Sequence, residues 1–308
     1  MKLAPITLFT YNRPWHTQQT IEALQKNKLA EQSDLVIFSD GPKSESDREN
    51  VQAVRDYLQT IDGFKSVKIV EQKRNRGLAA SIINGVTEVV NKYGRIIVLE
   101  DDLLISPDFL RFMNDSLAYY SGEEKVMQIS GHMFNVAINC ETDGIFLPFT
   151  NSIGWATWKR AWVYFDSQMS GYEILKRDRI LRNKFNLDGS YGYFNMLELQ
   201  LKEKIDSWAI RWYLSVFLVK GLVLYPKHSL IKHIGFDGSG THCEDTSSGV
   251  YATSLGVIDA DRISLPKVSL DKKSYTQVIH FLFSQHSLIA KLKLLIANLF
   301  CRLSSSKK

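Results

Sequence analysis

The sequence is poor in cysteine and has no long apolar run. Its three cysteines, Cys140, Cys243 and Cys301, stand far apart and form no C-x-x-C pair. That spacing excludes a disulfide framework and a zinc ribbon, and it fits reduced thiols in a cytosolic protein. No uninterrupted apolar stretch reaches the roughly 18–20 residues needed to span a bilayer. The segment from Met1 to Thr10 lacks the apolar length and the small-residue cleavage site of a secretory leader, so none is expected. Charge of one sign is scarce too: 38 Lys and Arg against 33 Asp and Glu leave a formal net charge of +5. So mild and scattered a balance argues against nucleic acid as a partner. It suits a small anionic ligand or an anionic membrane surface.

What is present is enough for a packed core: 44% hydrophobic and 23% charged residues over 308 positions. That length suits one large α/β domain with a C-terminal extension, or two small domains. Ala4 to Thr10 reads as a short buried strand running into Tyr11-Asn-Arg-Pro14, where proline suits a first helical position. A helix to about Asn27 follows, then a strand over Asp34–Ser39 that stops at Asp40-Gly-Pro42. Ser44 to Gln59 is helical and Val67–Val70 is a third strand. After Arg74-Asn-Arg-Gly77, the spacing of Ala79, Ile82, Ile83, Val86, Val89 and Val90 predicts one apolar helix face. Arg95–Leu99 is a fourth strand leading straight into Glu100-Asp101-Asp102.

Strands alternating with helices predict right-handed crossovers and a parallel sheet, with ligands beyond the carboxyl ends of the strands. Four polar segments converge there: Thr10–Arg13, Ser39-Asp40, Arg74–Arg76 and Glu100–Asp102. Two are cationic and one is strongly anionic, which suits a phosphate ligand and a divalent metal. Adjacent carboxylates repel one another unless a cation sits nearby, and hard oxygen ligands suit Mn²⁺ or Mg²⁺. A solvated acidic turn is the plainer alternative. The second half is less regular. Residues 108–120 look helical, 126–149 read as strands and loops, and a helical stretch runs from Asn195 to about Lys220 with a break near Asp206.

The run Ile97-Val-Leu-Glu-Asp-Asp-Leu-Leu-Ile-Ser-Pro-Asp-Phe109 resembles the Asp-x-Asp-type region of GT-A glycosyltransferases. It is most similar to the Glu-Asp-Asp form of N-acetylglucosaminyltransferase I and its relatives. Thr-Tyr-Asn-Arg-Pro14 and Asn75-Arg-Gly77 also resemble elements of bacterial family-two-like sugar transferases. The resemblance spans roughly residues 4 to 120, weakens from 150 to 245 and is absent in the tail. It implies a Rossmann-like nucleotide-sugar-binding sheet with helices on both faces, an irregular acceptor-side region and a C-terminal helical tail. It further implies that Asp40 bonds the uracil base and that Thr10 and Arg13 contact nucleotide and phosphate. Arg74 lies beside the diphosphate, Glu100 and Asp101 hold donor sugar and ribose hydroxyls, and Asp102 ligates the metal.

Inverting transfer needs a carboxylate on another segment to take the acceptor proton. Asp206 in Ile205-Asp-Ser-Trp208 resembles the Asp-Asp-Trp stretch that carries this base in the family, with Ser207 in place of the second aspartate. A helix N-cap is the structural alternative, and Glu203 and Glu198 are fallbacks. Trp155, Trp158 and Trp208 are candidates for an acceptor wall, since tryptophan faces stack on sugar rings and equally make good core residues. His242, after Gly238-Ser-Gly240, is a further metal or diphosphate candidate on a glycine-rich loop, with His233 behind it. The tail from Gln277 to Leu303 sets Lys291, Lys293 and Arg302 among apolar clusters. Such a helix either lies in a membrane interface or packs on its own domain or a dimer partner.

The expected organisation is 1–120 for nucleotide sugar, 121–265 for acceptor and base, and 266–308 for the tail. The expected activity is metal-dependent, inverting transfer from a UDP-sugar, with an N-acetylhexosamine as the sugar. The acceptor is a glycan or lipid-linked hydroxyl in bacterial surface-polysaccharide synthesis, at the inner face of the membrane. The rivals are a sugar-1-phosphate nucleotidyltransferase and a non-catalytic carbohydrate-binding protein. Thr-Tyr-Asn-Arg-Pro14, where the first would carry a glycine-rich loop, and the intact acidic triplet argue against them.

Overall fold

The computed structural model describes residues 2–235, 237, 253–258 and 263–285. The first hundred residues fold in the order their periodicity predicts. Strand β1 (Ile6–Thr10) leads to helix α1 (Pro14–Gln25), β2 (Asp34–Ser39) to α2 (Arg48–Leu58), β3 (Ser66–Glu71) to α3 (Leu78–Tyr93), and β4 (Arg95–Glu100) follows. Pro14 opens α1 at a position that needs no N–H. The predicted helix from Ser44 starts instead with a short 3₁₀ turn over Glu45–Asp47, because Ser44 and Asp47 bond reciprocally and fix a separate turn before α2.

These four strands pair in parallel in the order β3-β2-β1-β4. Thr10 lies opposite Ser39, Ser39 opposite Glu71, and Phe9 opposite Glu100, so the carboxyl ends form a level edge. Beyond Glu100 come the short β5 (Leu103–Ile105), α4 (Phe109–Tyr119), β6 (Val126–Ser130), β7 (Gly144–Leu147) and β8 (Trp155–Trp158). Then follow α5 (Lys159–Trp162), α6 (Tyr172–Arg177), α7 (Arg179–Phe185), α8 (Tyr193–Leu201), α9 (Trp208–Leu218), β9 (Leu222–Pro226), β10 (Ile231–His233) and α10 (Lys272–Ser284). β8 inserts antiparallel between β4 and β6, and the main sheet continues as β4-β8-β6-β9-β7. One sheet of eight strands therefore runs through both the 1–120 and the 121–265 segments. β5 and β10 pair separately, with Leu103 opposite His233.

Two cores flank the sheet. Ile6, Leu8, Leu35 and Ile37 pack with α1, α2 and α4, while Phe9, Val36 and Phe38 pack with α3, α5 and α9. That is the period-two alternation of strands covered on both faces. α9 is apolar almost all round, with Trp208, Ile210, Trp212, Tyr213, Leu214 and Val216 buried. Its tryptophans join others: Trp155 stacks on Trp208 with centroids 5.1 Å apart, and Trp162 meets Trp212 at 5.1 Å. Each such ring pair adds about 0.5–1.5 kcal/mol beyond the area it buries. Val278 and Leu282 of α10 belong to the same core, so the described start of the tail packs on its own chain. Residues from 286 onward, with the predicted basic face, lie outside the described residues. Among the described residues no helix is long and apolar enough to cross a membrane.

Gly154 precedes β8 at a point where no side chain fits. Its φ is +54°, and a Cβ there would overlap Ile231 Cδ1. Gly154→Ala is expected to lower the unfolding free energy by about 2–4 kcal/mol in urea denaturation. Gly122→Ala, where a Cβ meets nothing within 4 Å, is the control and should change it by less than about 0.5 kcal/mol.

Candidate active site

The level carboxyl edge of β1, β2 and β4 forms the floor of a cavity of about 420 Å³. Thr10–Arg13, Asp40, Asn75, Gly77 and Glu100–Asp102 line it, joined by Asp206 and His233. Three of the four predicted strand-end clusters thus meet in one place, and the fourth contributes Asn75 and Gly77 but not Arg74, which is exposed. Phe9 and Phe38, stacked at 5.3 Å, supply an apolar wall. The Thr10 hydroxyl is buried at this edge and has no hydrogen-bond partner within the protein.

Asp101 and Asp102 are buried, Glu100 is half-buried, and one guanidinium holds the two aspartates. Arg13 Nη2 donates to Asp101 Oδ1 at 2.8 Å and to Asp102 Oδ2 at 2.5 Å. The Tyr11 N–H adds a longer bond to Asp101 Oδ2 at 3.3 Å. Burial disfavours the charge on Arg13, yet Asp101 and Asp102 outweigh it and raise its pKa. Burial likewise pushes the Asp101 carboxyl up against the pull of Arg13. Glu100 is pushed up to about 8, first by burial and then by the charges of Asp102 and Asp101. A solvated acidic turn would show neither the burial nor these shifts.

Asp40 ends β2 as a clamp. Oδ1 accepts from the N–H of Gly41 at 2.8 Å and of Arg76 at 2.9 Å, and Oδ2 accepts from the N–H of Gly77 at 3.0 Å. Asn75 Nδ2 donates to the Gly41 carbonyl at 2.9 Å. Together these bonds fix the loop before α3 against the end of β2. With three backbone donors already on it, Asp40 has little acceptor capacity left for a base.

His233 reaches the triplet because β10 pairs with β5. Its Nε2 lies 3.6 Å from Asp102 Oδ2, and the Ile234 N–H bonds the Asp102 carbonyl at 2.9 Å. The Gly235 N–H donates to His233 Nδ1 at 3.0 Å, which places the neutral ring's hydrogen on Nε2, facing Asp102. Burial lowers the pKa of the ring, outweighing the pull of Asp102. Metal ligation through Nε2 would require the other tautomer and loss of the Gly235 bond. Gly235 is itself dictated by space: a Cβ there would overlap Asp102 Oδ2 and stand 2.8 Å from Arg13 Nη1. Sequence spacing placed His242 ahead of His233. His242 lies outside the described residues, and only the β5–β10 pairing reveals the proximity of His233.

A divalent cation fits this donor set in one way. Among the described residues no cluster of three or more His, Cys, Asp or Glu could hold a metal alone. Mg²⁺ and Mn²⁺ commonly take one or two carboxylates and complete their shell with phosphate oxygens and water. Asp102, with Asp101 beside it, supplies that share.

Asp206 lies on the loop before α9, exposed and ion-paired with Arg211. The helix cap is Ser207, whose Oγ accepts from the Ile210 N–H, so Asp206 is free of the capping role. The three tryptophans require a correction. Trp155, Trp158 and Trp208 are 0%, 4% and 4% exposed, respectively. Trp155 and Trp208 cover each other, and Trp158 donates its N–H to the Leu117 carbonyl under Arg160. No sugar ring can stack on them. They support the site rather than line it, because the same flat apolar faces that suit a sugar suit a core.

Residues 6–117 match the family described as Glycosyl transferase family 2. No curated protein gives a significant match. Among solved structures, the mannosyltransferase PcManGT from Pyrobaculum calidifontis, in complex with GDP-Man and Mn²⁺, is 13% identical with a TM-score of 0.37, over 51% of this chain and 45% of that one. S. aureus TarS in complex with UDP is 15% identical with a TM-score of 0.33, over 49% of this chain and 42% of that one. This chain thus covers less than half of either protein's length. The family match coincides with the parallel β3-β2-β1-β4 sheet and ends within α4, just beyond the acidic triplet. Over residues 6–117, the segment that holds the parallel strands and the acidic triplet, the chain is therefore similar to glycosyltransferase family 2.

Proposed function

We propose that this protein transfers a sugar from a nucleotide-activated donor to an acceptor hydroxyl, with inversion and with a divalent metal. The observation that carries this is one cavity lined together by the carboxylates at the end of β4, by Arg13 that pairs with them, and by Asp206. In this reading the donor diphosphate lies over the edge of β1 and β4, with Thr10 and Arg13 as its donors. Asp102 would hold the cation, which would supply Lewis-acid neutralisation of charge on the diphosphate. Glu100 and Asp101 accept from sugar and ribose hydroxyls. The acceptor oxygen attacks the anomeric carbon, the bond to the diphosphate oxygen breaks, and Asp206 takes the acceptor proton. Before doing so Asp206 must leave its ion pair with Arg211.

Family resemblance favours a UDP-sugar with an N-acetylhexosamine, although readout of the base by Asp40 requires the clamp on Arg76 and Gly77 to loosen. Resemblance alone also favours a glycan or lipid-linked acceptor in surface-polysaccharide synthesis, at the inner face of the bacterial membrane. Contact of the tail with that membrane, or with a second copy, belongs to the same proposal.

Incubation with a panel of nucleotide sugars and Mn²⁺ is expected to release a nucleoside diphosphate. Pyrophosphate release instead would mark nucleotidyl transfer. Asp102→Ala is expected to abolish metal-dependent donor binding in calorimetry while leaving the protein folded. Asp206→Asn should keep donor affinity within about threefold and lower transfer by a factor of about 10² or more. Full transfer by this variant would remove Asp206 as the base.

A further inference from the structure

We propose that Arg13 is a resident counter-cation, which the donor diphosphate draws off Asp101 and Asp102 so that donor and divalent metal bind in concert. The proposal rests on the donor site described above. Asp102 Oδ2 is hemmed in on three sides. Arg13 Nη2 sits 2.5 Å away, His233 Nε2 3.6 Å away, and Gly235 leaves no room even for a methyl group. A cation held by this oxygen would share it with a guanidinium, and like charges brought to one atom repel. Arg13 and a cation therefore compete for this oxygen.

Arg13 also has somewhere to go. Its backbone is pinned as the N-cap of α1, its carbonyl accepting from the Thr17 N–H at 3.0 Å and the Thr17 hydroxyl at 2.9 Å. Only the side chain needs to swing. Nη1 is buried and has no hydrogen-bond partner within the protein, although the other arm is fully engaged. An unused guanidinium arm in a cavity of about 420 Å³ that also holds the unpaired Thr10 hydroxyl suits a phosphate, which takes both arms at once. Once Arg13 turns to a diphosphate, the carboxylates are left without their cation and the metal replaces it. By linkage, each ligand then tightens the other by the same factor.

The test measures Mn²⁺ binding to the full chain by paramagnetic resonance of free Mn²⁺, with no nucleotide and then with UDP or GDP. Wild type is expected to bind Mn²⁺ weakly alone and at least about tenfold more tightly with nucleotide. Arg13→Gln is expected to bind Mn²⁺ alone about tenfold more tightly than wild type and to lose most of the coupling. Arg13→Lys keeps one charge but loses the fork and should fall between, which covers the case in which Arg13→Gln does not fold. Unchanged Mn²⁺ affinity without nucleotide in every folded variant overturns the role of Arg13, while Mn²⁺–nucleotide binding by wild type leaves the donor site standing. Absence of Mn²⁺ binding with either nucleotide overturns both.

Discussion

Three consecutive carboxylates at the buried end of β4 are the constraint around which the site is arranged. In a low-dielectric setting they cannot all stay ionised without a cation, and in this structure Arg13 supplies one. That requirement explains several neighbouring features. The chain leaves β1 so that Arg13 caps α1 while its side chain crosses to β4. β10 lays His233 beside Asp102, and position 235, two residues on, must be glycine because Asp102 and Arg13 occupy the space. A cluster that gains only one guanidinium from the protein is under-neutralised, which is the property a metal and a diphosphate can use.

The rest of the fold holds this edge level and rigid. Strand register aligns Thr10, Ser39 and Glu100, and Asp40 ties the loop before α3 to the end of β2. Across the sheet, the tryptophan cluster anchors α9 to β8, and thereby positions the loop bearing Asp206 at the same cavity. Its value is rigidity: the loop is held only as firmly as the helix that follows it. The Trp212 N–H bond to Gln128 Oε1 at 2.6 Å adds a polar fastening to β6 within that apolar layer.

Much of the first half was legible in the sequence. β2 was bounded correctly, and α3 and the end of β4 lay within a few residues, because apolar periodicity there is strong and the breaks are sharp. Asp102, Arg13, Thr10 and Asp40 were legible as one site because strand-end segments of a parallel sheet must share an edge. The second half was not. β8 is only four residues long and inserts antiparallel between two distant strands, which no local pattern signals. Its tryptophans looked like ligand contacts because sequence does not distinguish a stacking face that meets solvent from one that meets another ring.

By itself, then, the sequence determined which residue types stand at the ends of the strands, and hence that carboxylates and guanidinium groups gather at one edge. Periodicity and chain order suffice for that, since they act within a few turns or one crossover. Only the tertiary structure decided which atoms touch. Arg13 bridging Asp101 and Asp102, Asp40 closed on backbone N–H groups, His233 reaching Asp102, and Trp155 turned inward all depend on contacts between segments far apart in the chain. Such contacts are set by side-chain packing and burial, which the order of residues constrains but does not display.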